Sequence, residues 1–95
     1  MPGESNLEAF FKATAEAAGC FVRKVVTPGN TGFPDRLLVF GGVVYFVELK
    51  NPNGKGALSP KQDRTINEMR RHGLNVRTVE TRREAEDAIR EITGS

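Results

Sequence analysis

The chain has 95 residues, enough for one domain with an independent but marginal core. Charged residues make up 27% and hydrophobic ones 38%, which fits a soluble globular protein and excludes a disordered chain; no apolar run approaches the ~20 residues of a transmembrane helix. A net charge of +2 with a pI near 9.0 permits a nucleic-acid partner without requiring one.

The N-terminus, MPGESNLEAFF, lacks the basic segment and long apolar stretch of a secretion signal, so the expected compartment is the cytoplasm, with no membrane partner. A helix is expected from about Ser5 to Ala18, with Leu7, Phe10, Phe11, Ala15 and Ala18 forming its stripe and Gly19 its stop. Cys20 to Val26 alternates enough for a strand. The lone Cys20 has no partner for an internal disulfide, and one cysteine with one histidine makes no zinc site, so it reads as a small buried hydrophobe. Thr27 to Pro34 is rich in turn residues and forms a loop.

PDRLLVFGGVVYFVELK follows, two strands joined by Gly41-Gly42. A two-residue turn of the primed type, which glycine permits, sets Phe40 opposite Val43 and carries the register back until Asp35 faces Glu48. Opposed residues of an antiparallel pair place Cβ atoms about 4.5–5.5 Å apart on one face, a spacing that suits one divalent cation taking oxygens at about 2.0–2.6 Å. Lys50 projects from the same face as Glu48. That face also carries Leu37, Val39, Val44 and Phe46, while Leu38, Phe40, Val43, Tyr45, Val47 and Leu49 occupy the other. Both faces being apolar, the sheet is expected to be covered on both sides. A simpler reading stays open: Asp35 caps a turn after Pro34, and Glu48 with Lys50 is a surface pair.

Asn51 to Leu58 is a second glycine-rich loop beside this site. Ser59-Pro60-Lys61-Gln62 reads as a helix start, with Ser59 as N-cap and Gln62 completing a capping box. Ile66 and Met69 give the helix its buried side, His72 lies in its last turn, and Gly73 ends it. Leu74 to Val79 is a fourth strand, joined through a helix as parallel pairing requires. The last helix opens on a capping box from Thr81 to Glu84 and buries Ala85, Ala88, Ile89 and Ile92. The expected fold is α/β, a single small domain spanning 1–95 in the order α-β-β-β-α-β-α, with a central mixed sheet flanked by helices.

Basic residues cluster at Arg23 and Lys24, at Lys55, Lys61 and Arg64, and at Arg70, Arg71, Arg77, Arg82 and Arg83. Several on one side would track a phosphate backbone, and Arg23, Lys24, Lys55, Lys61 and Arg64 are the candidate DNA contacts; for any single one, a solvated face is the alternative. Arg82 and Arg83 open a helix, where cations oppose the dipole. Asn30 and Thr31 fit turn chemistry, and Tyr45 fits the core.

Glu4-Ser5, Gly32-Phe33-Pro34-Asp35, Val47-Glu48-Leu49-Lys50 and Leu58-Ser59-Pro60 with Gln62, in this order and element context, resemble a stand-alone VRR-NUC domain, the virus-type replication-repair nuclease group of the PD-(D/E)XK superfamily. The resemblance spans nearly the whole chain, with Phe33 at a position that reads as tolerant. It implies a restriction-endonuclease-like core, Mg²⁺ or Mn²⁺ as cofactor, and metal ligation by Asp35, Glu48 and the backbone carbonyl of Leu49. Lys50 would hold the attacking water and offset charge on the scissile phosphate. Glu4 is the favoured additional acid, ahead of Glu8, which also fits a capping box with Ser5. Gln62 would reach toward the site as a further catalytic residue, although its cap with Ser59 explains it equally.

The implied activity is metal-dependent endonucleolytic cleavage of structured or branched DNA, such as Holliday junctions, by a homodimer in a bacterial or phage-infected cell. The alternative is a catalytically idle DNA-binding or interaction module. Intact Asp35, Glu48 and Lys50 count against it, because a binder gains nothing from two acids beside a phosphate. A hydrolase of another phosphoester is a third reading.

Overall fold

Seven elements follow one another in the expected order. The computed structural model describes residues 6–29, 31–50 and 58–94. They form α1 (Asn6–Ala17), β1 (Phe21–Lys24), β2 (Arg36–Phe40), β3 (Val43–Leu49), α2 (Pro60–Arg71), β4 (Asn75–Val79) and α3 (Arg82–Thr93). The strands lie in the order β1-β2-β3-β4. The first two pairings are antiparallel, and β3 with β4 is parallel, reached through α2. The sheet is therefore mixed, with the single crossover that a parallel pair needs.

Strand alternation divides the core. On one face Val22, Leu38, Val47 and Val79 pack with Leu7, Phe11 and Ala15 of α1 and with Ala85, Ala88, Ile89 and Ile92 of α3. On the other, Val76 packs with Ile66 and Met69 of α2, joined by Phe33, Phe46 and Leu58. Fully burying one such aliphatic or aromatic side chain stabilises a fold by about 1.5–3 kcal/mol, so the larger cluster under α1 and α3 holds most of the domain together. Coverage stops short of the hairpin tip on both faces, where Val43 on the α1–α3 side and Val44 on the α2 side remain 43% and 40% exposed. The expectation of a sheet covered on both sides fails there, because the helices lie over the rest of the sheet and α2 over the crossover side.

Three expected boundaries shift for physical reasons. The first strand is four residues long rather than Cys20–Val26. Cys20 instead donates its N–H to Ala15 O, closing the end of α1, and Val26 is exposed beyond the ladder. Leu74 belongs to the end of α2, since its N–H returns to Met69 O while that of Gly73 returns to Arg70 O. Those two bonds make a Schellman closure. At α3, the Thr81 hydroxyl accepts Glu84 N–H at 3.0 Å, but the Glu84 carboxylate takes the N–H of Glu80, not that of Thr81. The capping box is thus displaced by one residue. Arg82 has a reason to open this helix: its guanidinium lies 4.9 Å above the Phe10 ring, tying α3 to α1.

Candidate active site

The hairpin turn sets the site. Gly41 and Gly42 both take positive φ, 59° and 81°, the backbone of a primed turn whose twist matches the strands it joins. The register then runs from Phe40↔Val43 back to Arg36↔Val47. The next opposed pair is Asp35 and Glu48, where the ladder ends. The Leu49 N–H donates to Asp35 Oδ1 at 3.1 Å, so the carboxylate folds back over the end of β3.

The approach to Asp35 is fixed by α2. A Cβ at Gly32 would lie 2.7 Å from the Lys61 carbonyl oxygen and 2.9 Å from Thr65 Oγ1, so only glycine fits against the first turn of that helix. Thr65 Oγ1 donates to Thr31 O at 2.8 Å and clamps the same contact. Phe33 meets Phe46 edge to face with centroids 5.3 Å apart, a packing role at the position that read as tolerant. Pro34 is fully buried. The stretch ends with Asp35 half-buried at the sheet end nearest the start of α2.

Gln62 reconciles its two expected roles. Its Oε1 accepts the Ser59 N–H at 3.0 Å while the Ser59 hydroxyl accepts the Gln62 N–H at 3.1 Å, completing the capping box. Its Nε2 donates to Glu48 Oε2 at 2.9 Å. One amide therefore caps the helix with its oxygen and grips the carboxylate with its nitrogen.

Arg36 escaped the sequence reading. Its guanidinium lies 3.1 Å from Glu8 Oε2 and 3.5 Å from Asp35 Oδ2, and it donates to Asp35 O at 2.9 Å. The signal was present: alternation turns Arg36 onto the face of Leu38 and Phe40, and a cation on an apolar face calls for a carboxylate partner. Glu80 was also missed; its carboxylate sits 3.8 Å from Lys50 Nζ. Glu8, the less favoured acid, is thus brought to Asp35 through Arg36. Glu4, Ser5, Asn30 and Lys55 lie outside the described residues.

Burial and mutual repulsion govern the charges. Glu48 is 8% exposed. Its desolvation, reinforced by the nearby Asp35 carboxylate, raises its pKa to about 7 against the pull of the Asp35 N–H, Gln62 and Arg36. Asp35 is also raised, chiefly by desolvation, with the Leu49 N–H and Arg36 acting the other way. Two such acids side by side, with only oxygen donors, suit a hard divalent cation, which would relieve both the burial and the repulsion. Among the described residues no group of three His, Cys, Asp or Glu side chains gathers that could hold a metal ion.

The basic residues separate by partner. Arg70 donates to Val76 O, Arg77 pairs with Glu91, and Arg83 pairs with Asp87. Lys61, Arg64 and Arg71 line a groove along the outer side of α2, and Lys12, Arg23 and Lys24 line a cleft between α1 and β1. Arg23 stacks 4.2 Å over the Phe21 ring. The third basic cluster is accordingly mostly engaged within the fold. His72 caps the end of α2 in an exposed position, and Tyr45 packs against the larger core cluster as expected.

A solved structure described as a VRR_NUC domain matches this fold with a TM-score of 0.77 and 33% sequence identity, covering 87% of this chain and 89% of that one. The chain belongs to the VRR-NUC domain family, a family of nuclease domains. No protein-family model matches the sequence. No curated protein matches it either. Among the described residues no helix is long and apolar enough to cross a membrane.

Proposed function

We propose that the chain is a divalent-metal-dependent endodeoxyribonuclease that hydrolyses phosphodiester bonds in structured or branched DNA as a homodimer. The observation that carries this reading is the pair of carboxylates, half-buried Asp35 and buried Glu48, at the end of the hairpin, with Lys50 two residues beyond. Two neighbouring acids with raised pKa values serve no stability purpose, and they form an oxygen donor set for Mg²⁺ or Mn²⁺.

Asp35, Glu48 and the Leu49 carbonyl would hold the ion. Once bound, a divalent cation screens the phosphodiester charge and lowers the pKa of water at the site. Gln62 keeps the Glu48 carboxylate turned toward Asp35 through its 2.9 Å hydrogen bond. Lys50 supplies a positive donor to the attacking water and to charge developing on phosphate, and Glu80 steadies its ammonium from the side of β4. Lys61 and Arg64, exposed on α2 beside the site, and Arg23 and Lys24 on β1 contribute phosphate contacts along the backbone.

A small domain offers little surface for a branched duplex, and two copies would place one site on each of two strands. The test is cleavage of plasmid, linear duplex, single-stranded and four-way-junction DNA with Mg²⁺, Mn²⁺ or chelator, alongside Asp35→Ala and Lys50→Ala. Metal-dependent cleavage lost in both variants is expected, with the junction the best substrate. Absence of cleavage on every substrate, with binding retained, would establish the idle module instead. Solution mass at micromolar concentration tests the dimer, and a monomer throughout refutes it.

A further inference from the structure

Arg36 and Glu48 are the two charged side chains buried among the described residues, at 5% and 8% exposure. Glu48 belongs to the acid pair; Arg36 points to the opposite face of the sheet, under α1. Stability alone is a poor reason for it, because desolvating a guanidinium is costly and an apolar side chain of similar size would serve the core as well. Its contacts are specific. One nitrogen donates to the Asp35 carbonyl at 2.9 Å and lies 3.5 Å from Asp35 Oδ2, while the other lies 3.1 Å from Glu8 Oε2. The other oxygen of Asp35 takes the Leu49 N–H at 3.1 Å. The Asp35 carboxylate therefore takes the β3 backbone N–H at one oxygen and faces one guanidinium nitrogen at the other, and the second nitrogen of that planar group ties it to α1 through Glu8.

We propose that Arg36 is a positioning residue that fixes the plane of the Asp35 carboxylate for cation binding and couples its orientation to α1 through Glu8. The proposal rests on the metal-dependent nuclease reading of the site. Two effects of Arg36 oppose each other: its charge repels an incoming cation, and its fork pre-orients the carboxylate that receives it. Lysine separates them. Arg36→Lys keeps the positive charge and discards the planar, bidentate reach.

The experiment measures Mn²⁺ binding to the DNA-free protein by electron paramagnetic resonance of the free ion. It also measures kcat and KM for DNA as a function of Mn²⁺, in wild type, Arg36→Lys, Glu8→Gln and the double variant. In Arg36→Lys, Mn²⁺ binding weakens on the order of tenfold, the loss expected when a ligand loses its orienting partner. Cleavage falls in parallel and recovers at high Mn²⁺, while KM for DNA stays within about twofold, as a group without phosphate contact requires. Glu8→Gln weakens Mn²⁺ binding less, and the double variant is no worse than Arg36→Lys alone, since Glu8 acts through the guanidinium.

Wild-type Mn²⁺ affinity in Arg36→Lys overturns the proposal, even where thermal stability falls, because Arg36 would then be purely structural. Additive losses in the double variant overturn the coupling to α1. A wild-type protein that takes up no Mn²⁺ removes the nuclease reading itself and the proposal with it, a result distinct from either of the others.

Discussion

Replacing Glu48 with glutamine should stabilise the metal-free protein while abolishing cleavage. In the fold the carboxyl titrates at about 7, against 4.5 for an ordinary glutamate. At about 1.4 kcal/mol for each tenfold change in proton affinity, ionising this group costs the metal-free fold about 3 kcal/mol once the pH exceeds both values. Glutamine has nearly the same shape, still accepts the Gln62 Nε2–H through its own oxygen, and offers its N–H₂ toward Asp35 in place of a repelling charge. Some of the gain is lost in burying the new amide, leaving about 1–3 kcal/mol at pH 8, or a rise in Tm of about 5–15 °C for a domain of this size. The sign depends on pH. Because the folded pKa is raised, the stability contribution of Glu48 is fully present below pH 4.5 and is lost as the pH rises through about 7. Urea denaturation of chelator-treated wild type and Glu48→Gln, from pH 4 to pH 8.5, should show stabilities that coincide below about pH 4.5, separate progressively up to about pH 7 and keep a constant gap above it. A variant less stable than wild type at pH 8, or a difference that does not change with pH, would falsify the assignment of Glu48 as a desolvated, repelled acid.

Other substitutions isolate other parts of the site. Gly32→Ala combines a positive-φ backbone with a Cβ 2.7 Å from Lys61 O, and should cost about 2 kcal/mol or more by urea denaturation; a loss below 0.5 kcal/mol would mean the loop and α2 move apart freely. Ser59→Ala should cost about 1 kcal/mol while leaving kcat within about twofold, whereas Gln62→Ala should cost a similar amount and also reduce kcat roughly tenfold or more. Equal kinetics in those two variants would reduce Gln62 to a cap. Lys50→Ala should lower cleavage at least a hundredfold with stability within about 0.5 kcal/mol of wild type, since its contact with Glu80 is long and partly exposed. Raising the salt concentration should weaken DNA binding, and Lys61→Ala with Arg64→Ala should flatten that dependence by about one phosphate each; an unchanged slope would place the DNA elsewhere.

The parts of the fold legible in the sequence are those with local causes. Gly41-Gly42 admits one hairpin register, Ser59 with Gln62 starts one helix, and Gly73 ends it, so these elements fall where chain chemistry puts them. The opposition of Asp35 and Glu48 follows from the same two glycines. What was not legible depends on pieces far apart in sequence. Arg36 pairs with Glu8 only because α1 returns over β2, and Arg82 meets Phe10 only because α3 packs beside α1. Gln62 could be read as a cap or as a site residue, but not as both, because an amide's two ends are assigned only by their partners. Exposure of the hairpin tip was missed because alternation tells which way a side chain points, not whether a helix reaches that far.

The Gly32-Phe33-Pro34-Asp35 stretch divides its work unevenly, and that bears on how relatives of this chain should be judged. Gly32 is required by the backbone of α2, Phe33 by the ring of Phe46, and Pro34 by burial; Asp35 alone is left for the proposed phosphoester chemistry. A descendant that had given up cleavage would still be held to the first three residues, on pain of unfolding, and would be free to change only the fourth. Persistence of most of this motif across a family is therefore a record of foldability, and activity has to be read from the single carboxylate at its end together with the glutamate that faces it.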